Sequence, residues 1–223
     1  MKSSEDLRAE FDQAAIKLAK RPPVPPAKLR RYRSMLKALP ADCKQALDIG
    51  CGLGDLARLL AKRSEYVLAV DLSPEMIRIA RERSQAYPNI EYRVEDVRTW
   101  EFPKERFDAV TSLTTLHHMP LEAMLAKIAT ALRPGGALIV FDLFQPVGWQ
   151  WALATTLQFF RWRLKKLIRP GRRSSKTYAW KHDPNETYMP IADIRTIFER
   201  VLPGAKVSVG SGFKGYLATW TKP

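Results

Sequence analysis

The stretch Ala46-Leu-Asp-Ile-Gly-Cys-Gly-Leu-Gly54 decides the fold class of this 223-residue chain. An apolar run over 45–49 leads directly into three glycines spaced by one residue, and a helical pattern opens at Leu56. Glycines at a strand-to-helix turn let the backbone bend tightly and let a ligand approach the main chain. A simple tight turn is the alternative. The spacing G-x-G-x-G differs from the G-x-G-x-x-G of dinucleotide-binding proteins, which weakens an NAD interpretation.

Apolar strand patterns alternate with helical patterns on both sides of this loop, which is typical of an α/β fold. Only Gly210 to Gly215 separate the last two strands, which leaves no room for a crossover helix, so this pair is predicted to be antiparallel. Two helices are predicted before the series, at 5–19 and 28–39. The patterns predict strands at 45–49, 66–70, 90–94, 107–113, 137–143, 206–209 and 216–220, and helices at 56–63, 74–86, 121–132 and 191–201.

The positive charge is concentrated in two segments. The net charge is +14 at pH 7, with ten basic and four acidic residues in 1–40 and nine basic and no acidic residues in 161–181. The rest of the chain is nearly neutral, unlike a uniformly basic nucleic-acid-binding protein. We divide the chain into an N-terminal helical arm (1–40), a core (41–143), a hydrophobic and then basic insertion (144–190), and a part that completes the sheet (191–223).

Several classes of protein are excluded by composition. Two cysteines, Cys43 and Cys51, cannot form a disulfide framework, and the acidic N-terminus lacks the apolar region of a secretory signal. The uncharged stretch 143–160 contains Pro146 and Gly148, so it makes a poor membrane span. We therefore expect a cytoplasmic protein, either free or attached peripherally to a membrane.

Acidic residues follow the second and third predicted strands. Asp71 ends strand two, where a carboxylate accepts hydrogen bonds from both hydroxyls of a ribose. Ser73 is expected to cap the next helix, which would leave Asp71 free for this task. Asp96 suits the amino group of an adenine, with the backbone N–H of Val97 donating to a ring nitrogen. A solvated loop acid is the alternative for Asp96.

These motifs together resemble the class I S-adenosylmethionine-dependent methyltransferases, in particular the small-molecule and ubiquinone-biosynthesis-like group. The resemblance covers residues 41–143 closely. It implies a Rossmann-like, seven-stranded, mostly parallel sheet of order 3-2-1-4-5-7-6 with strand 7 antiparallel, helices on both faces, and S-adenosyl-L-methionine as cofactor. It rests on 46–54, Asp71, Glu95-Asp-Val97, Phe107-Asp-Ala-Val110, Leu116-His-His118 and Leu132-Arg-Pro-Gly-Gly-Ala-Leu138.

The resemblance also implies which residues bind the cofactor. Asp48 and the glycine loop would face its methionine half, Asp71 the ribose, and Asp96 with Val97 the adenine. The acid pair followed by Asn that marks catechol-type enzymes is missing, Asp142 and Asp183 stand alone, and no metal is expected. The full set of implied cofactor-binding residues is Asp48, Gly50, Cys51, Gly52, Gly54, Asp71, Leu72, Met76, Asp96, Val97, Leu113 and Thr114.

Methyl transfer from a sulfonium is an in-line displacement, so the protein mainly has to align the acceptor lone pair with the S–CH₃ bond. If the acceptor must lose a proton, His117 or His118 is the candidate base; the alternative is that one of them only hydrogen-bonds backbone. Strand four ends in Ser112-Leu-Thr-Thr115, without the Asn- or Asp-Pro-Pro-aromatic turn of the resembling nucleic-acid enzymes. A small, hydrophobic acceptor is therefore favoured over nucleic acid.

The insertion has two interpretations. Residues 149–168 place leucines and a phenylalanine on one helical face, which predicts either a lid that packs on the core or a helix at an anionic membrane surface, attracted through 149–181. The candidate substrate-covering residues are Trp149, Phe159, Phe160 and Trp162. The alternative function is an RNA-associated methyltransferase or binding protein that uses the basic segments.

Overall fold

A computed structural model of the chain describes residues 3–20, 32–33, 35–147, 156, 163, 188–209 and 215–223. Its strands are β1 (Gln45–Ile49), β2 (Tyr66–Asp71), β3 (Ile90–Val94), β4 (Phe107–Leu113), β5 (Leu132–Leu143), β6 (Lys206–Val209) and β7 (Gly215–Thr221). They form one sheet of order β3-β2-β1-β4-β5-β7-β6, in which β7 is antiparallel to both β5 and β6. The predicted sheet order and the reversed final strand are confirmed.

The helices are α1 (Ser4–Ala19), α2 (Ala57–Leu60), α3 (Pro74–Arg83), α4 (Leu121–Ala131) and α5 (Ile191–Val201), with 3₁₀ turns at Leu36–Ala38 and Leu116–His118. Within the predicted helix 28–39, the described residues 32, 33 and 35 are helical.

Three boundaries differ from the sequence prediction by three residues or more. α2 stops at Leu60 because Arg63 N–H bonds back to the Leu60 carbonyl, which tightens the chain before β2. α3 stops at Arg83, where the Ser84 side chain bonds to Tyr92 on β3. β5 begins at Leu132 instead of 137, because Leu132 already pairs with Phe107 across a register shift in β4.

Side chains alternate along β1 between the two faces of the sheet and meet a separate apolar cluster on each. Leu47 and Ile49 join the cluster that includes Leu125 of α4 and Phe198 of α5. Ala46 faces the cluster that includes Leu60 of α2, together with Ile77 of α3 and the segment around Leu36. Helices cover both faces of the sheet, so a ligand has access only at the ends of the strands. In open parallel sheets, ligands bind at the carboxyl ends.

The N-terminal arm packs on the body through α1. Ala14 and Ala15 contact Met76 and Ile79 of α3, and an Arg83 guanidinium N–H donates to the Ala19 carbonyl at 2.8 Å. This contact brings α1 to the carboxyl edge of the sheet. Among the described residues, no helix is long and apolar enough to cross a membrane.

Candidate active site

The glycine loop after β1 uses its three glycines differently. Gly50, Gly52 and Gly54 all adopt left-handed backbone conformations, with φ of +68°, +51° and +76°. A Cβ on Gly50 would lie 2.1 Å from Thr115 Oγ1, and one on Gly54 would lie 2.3 Å from Tyr92 Oη, whereas a Cβ on Gly52 would meet nothing within 4 Å. The outer glycines therefore let the loop pack on its neighbours, and Gly52 borders open space that a ligand can fill.

Backbone hydrogen bonds fix the loop in place. The N–H groups of Gly50 and Cys51 both donate to the Val70 carbonyl, at 2.9 and 3.0 Å, and Gly54 N–H donates to the Cys51 carbonyl at 2.9 Å. Cys51 is buried, and burial raises the pKa of its thiol. The cysteine thus contributes backbone to the loop while its thiol is kept protonated and unreactive.

Asp48 is a fully buried carboxylate at the base of this loop. Its Oδ1 accepts a hydrogen bond from Thr111 Oγ1 at 2.9 Å, while its Oδ2 has no hydrogen-bond partner among the described residues. Burial raises the pKa of Asp48 to about 7. A buried carboxylate oxygen without a donor is unfavourable. The orphaned oxygen and the open space at Gly52 together fit a ligand with an ammonium group, as in the methionine half of S-adenosyl-L-methionine.

Asp71 joins the loop to α3. Its Oδ2 accepts from the Gly52 N–H at 2.8 Å and its Oδ1 from the Ser73 N–H at 2.9 Å. The expectation that Asp71 would be free was wrong: Ser73 does cap α3 through the Met76 N–H, but its own N–H is held by the carboxylate. Burial raises the pKa of Asp71. Each oxygen retains a further lone pair, so the ribose contact stays a prediction.

Asp96, after β3, lies in a small ionic network. The Arg98 guanidinium donates to both of its oxygens, at 2.9 and 2.8 Å, and Ser4 Oγ of α1 donates to Oδ2 at 2.7 Å. These contacts, led by Arg98, lower the pKa of Asp96 to about 2. Asp96 therefore holds the start of α1 against the sheet, and its contact with adenine stays a prediction, as does that of the buried Val97.

The remaining residues that were expected to bind the cofactor differ in how far their side chains are exposed. Met76 is buried under Ala14 and Ala15 of α1, so its side chain is part of the arm contact. Leu72 and Leu113 are half-buried. Thr114 is exposed at the end of β4 with φ of 55°, a conformation uncommon for a threonine, and its N–H donates to the Phe141 carbonyl at 2.7 Å.

The two candidate histidines, in the 3₁₀ turn after β4, have different partners. The His117 ring lies beside Asp142 of β5, with Nδ1 2.5 Å from Oδ1, and the His117 backbone N–H donates to Asp142 Oδ2 at 2.9 Å. The side chains of His117 and Asp142 are 5% and 1% exposed. The His118 ring instead meets Phe11 of α1 edge-on, with centroids 5.3 Å apart. His117 therefore belongs to a buried dyad, and His118 to the arm contact.

Sequence reasoning missed the partners that come from other elements. Asp142 was considered only as a possible metal ligand, and its contact with His117 was not predicted: it lies near the end of β5, beside the strand that precedes His117. Because parallel neighbours end at one edge of the sheet, its place next to the histidines was available from the strand order. No local signal marked Ser4 as a partner of Asp96, whereas Arg98, which was also missed, lies only two residues away in the sequence.

The predicted substrate-covering residues Trp149, Phe159, Phe160 and Trp162 lie outside the described residues, as does most of 149–181. Within this segment, Thr156 and Arg163 are described, and both are exposed and helical. In the part of the chain that the structure describes, no three His, Cys, Asp or Glu side chains are grouped to hold a metal ion.

Comparison with known proteins identifies the family. A family profile described as "Methyltransferase domain" matches residues 46–136. An uncharacterized methyltransferase of Mycobacterium tuberculosis is 30% identical over 197 residues, which cover 86% of this chain and 94% of that protein. A ubiquinone biosynthesis O-methyltransferase of Coxiella burnetii is 36% identical over 97 residues, 43% of this chain and 42% of that one.

The fold is also that of solved methyltransferases. The crystal structure of a SAM-dependent methyltransferase from Aquifex aeolicus superposes with a TM-score of 0.64 at 17% sequence identity, over 95% of this chain and 98% of that chain. The sheet order, the glycine loop and these similarities agree, and the chain belongs to the S-adenosylmethionine-dependent methyltransferases.

Proposed function

We propose that this enzyme methylates a small, hydrophobic acceptor bound at the carboxyl ends of β4 and β5, beneath α1. S-adenosyl-L-methionine supplies the electrophilic methyl group when bound. Because the reaction is a displacement, the chain's own task is to exclude water and hold the acceptor in line with the S–CH₃ bond. The observation that carries the proposal is the course of α1 along the carboxyl edge of the sheet.

Three contacts of α1 follow this edge in order. Ser4 donates to Asp96 after β3. Asp12 accepts from the Ser73 side chain and, at 3.3 Å, from the Glu75 N–H at the start of α3. Phe11 lies against the ring of His118 after β4. A helix held at three points across the mouth of the site favours an enclosed acceptor over a polymer, which would need an open groove.

The proposed acceptor side of the sheet edge is aromatic. The rings of Phe11, His118, His117 and Tyr188 form a row, with successive centroids 5.3, 4.0 and 5.3 Å apart. Such a row offers apolar faces with a few polar atoms, a surface that suits a planar, weakly polar molecule. The similarity to a protein named for ubiquinone biosynthesis supports the same class of acceptor.

The experiment is a transfer assay with methyl-labelled S-adenosyl-L-methionine. The acceptors are hydrophobic phenols, quinols, amines and carboxylates, with total tRNA and ribosomal RNA as the polymer arm. We expect label in at least one class of small molecule and none in RNA. Label in RNA alone would contradict the proposal and support the nucleic-acid alternative that the basic segments suggest.

A further inference from the structure

We infer that the hydroxyl of Ser4 occupies, on the carboxylate of Asp96, the position that the adenine amino group of the cofactor takes, so that the N-terminal arm and the adenine compete for one acceptor. Ser4 is thereby a residue that sets how strongly the site discriminates in favour of adenine. The inference concerns the cofactor alone and goes beyond the proposed function, since it holds for any acceptor. It is carried by the hydrogen bonds of Asp96.

The carboxylate of Asp96 is fully occupied by donors from the described residues. Its Oδ1 accepts from the backbone N–H of Arg98 at 3.0 Å and from Arg98 Nε at 2.9 Å, and its Oδ2 accepts from Arg98 Nη2 at 2.8 Å and from Ser4 Oγ at 2.7 Å. Arg98 lowers the pKa of Asp96 to about 2, so the group is ionised and can only accept. A carboxylate has about four lone-pair sites. An adenine amino group can therefore bind Asp96 only when one of these donors leaves.

Ser4 is the donor that can leave most easily. Arg98 is only two residues away in the chain and holds both oxygens of Asp96, and the two side chains are each 15% exposed. Ser4 is 92 residues away and reaches Asp96 through a single side-chain oxygen. A rotation of that side chain to another staggered position withdraws the hydroxyl without a change in the backbone.

Asp96 lies beside the carboxylate that we predict to bind the ribose. β3 runs parallel to β2, with Val94 opposite Asp71, and the Glu95 N–H donates to the Asp71 carbonyl at 2.9 Å. A ribose on Asp71 would therefore carry its base toward Asp96 at the neighbouring strand end. Asp71 keeps lone pairs for the ribose, whereas Asp96 has none left for the base while Ser4 is bonded to it.

α1 keeps Ser4 close to Asp96 even when the two are not bonded. Ala14 and Ala15 are buried against Met76 and Ile79 of α3, a contact that does not involve Asp96. The first turn of α1 is thus tethered near the carboxylate, and the serine hydroxyl stays at a high effective concentration there. The arm therefore acts as a reversible competitor that is part of the chain itself.

This competition determines how much the adenine amino group adds to binding. A hydrogen bond to a charged group that replaces one to water typically raises affinity by roughly tenfold or more. When the amino group instead replaces Ser4, one hydrogen bond within the protein is lost for the one that is gained. The amino group then contributes little, and the purine is recognised mainly through its other contacts.

Calorimetric titration of the full chain with two ligands tests the competition. The ligands are S-adenosyl-L-homocysteine and its 6-deamino analogue, in which hydrogen replaces the adenine amino group. The wild type should bind both with similar affinity. Ser4→Ala should bind S-adenosyl-L-homocysteine roughly tenfold more tightly than the wild type does, with unchanged affinity for the analogue, because only the amino group uses the lone pair that is freed. Ser4→Thr keeps the hydroxyl and should behave as the wild type.

Ser3→Ala is the matched control. The Ser3 side chain caps α1 by accepting from the Asp6 N–H at 3.1 Å, so its loss loosens the same turn without removing a donor from Asp96. We expect wild-type affinity for both ligands in this variant.

Three results would overturn the competition. Equal changes for the two ligands in Ser4→Ala would show that the serine acts only through the position of α1. Unchanged affinity for S-adenosyl-L-homocysteine in Ser4→Ala would show that the amino group does not need the place of the hydroxyl. A gain in Ser3→Ala equal to that in Ser4→Ala would assign the effect to the stability of the helix. Each of these results leaves the proposed acceptor untouched, since no acceptor is present.

Discussion

The two halves of the sheet's carboxyl edge each contain a buried carboxylate, and the two are satisfied in opposite ways. Asp48, in the β1–β2 half, receives one hydrogen bond from Thr111 and has an oxygen with no partner among the described residues. Asp142, in the β4–β5 half, receives three, two of them from His117. Both side chains are at most 1% exposed.

This difference separates a binding group from a positioning group. A buried carboxylate that lacks donors gains when a cationic ligand supplies one, so Asp48 suits the cofactor. A carboxylate saturated by its own chain offers a ligand little, but it fixes the orientation of its neighbour, so Asp142 orients His117. The β1–β2 half is therefore expected to control cofactor affinity, and the β4–β5 half acceptor turnover.

The largest effect is expected for Gly52→Val. The added side chain would occupy the open space in which we predict that the cofactor binds, so we expect cofactor affinity to fall by at least about 100-fold, about 2.7 kcal/mol. The fold should survive, since no atom lies within 4 Å of the new Cβ, although its φ of +51° adds roughly 1–3 kcal/mol of strain. Calorimetric titration with S-adenosyl-L-methionine gives the affinity.

Gly204→Val is the matched control for this variant. Gly204 has φ of +83° and equally open surroundings, but it lies in the turn between α5 and β6. We expect comparable loss of thermal stability with unchanged cofactor affinity. Normal binding by Gly52→Val would remove the loop from the cofactor site.

Asp71→Ala should have the next largest effect. It removes the acceptor of the Gly52 and Ser73 N–H groups and the predicted ribose contact, so cofactor affinity should fall roughly tenfold or more, with about 1–3 kcal/mol lost from the free energy of unfolding. Asp108→Ala is the control, because Asp108 likewise accepts two backbone N–H groups, those of Lys44 and Gln45, at the opposite end of β1. Equal affinity in both variants would show that Asp71 acts on stability alone.

The smallest effect that we expect is the pH dependence of the free energy of unfolding caused by Asp48. Its pKa of about 7 in the folded protein exceeds the value near 3.9 of an unfolded chain, so the folded state binds more protons between these limits. The protonated Asp48 therefore favours the folded state. Its contribution to the free energy of unfolding is fully present below about pH 4 and is lost as the pH rises through about 7. Asp48→Asn should gain stability relative to the wild type over that window, by about 1 kcal/mol or more, in thermal unfolding without cofactor. A pH-independent difference would contradict the unpaired burial of Asp48.

The structure of the β1–β2 half could be predicted from the sequence because the pattern that determines it is local. A strand, three glycines and a helix follow one another over residues 45–60, and a left-handed turn at the end of a buried strand admits few residues other than glycine. The same holds for Ser73, which caps α3 as expected because a cap joins residues only three apart. Both α2 and α3 proved shorter than their patterns, α2 because the chain turns early into β2.

The contacts in the β4–β5 half could be known only from the tertiary structure. The sequence identified His117 and His118 as equivalent candidates, and the choice between them depends on Asp142, 25 residues away, and on Phe11, on the arm. The contact of Asp96 with Ser4 has the same origin, since the two residues are 92 apart in the chain, whereas Arg98 is only two residues from Asp96. The sequence by itself determined the family, the sheet order and the residues around the glycine loop. Only the fold decided which histidine is paired, because such pairings form where distant strand ends and the arm meet, and no periodicity of the chain records that distance.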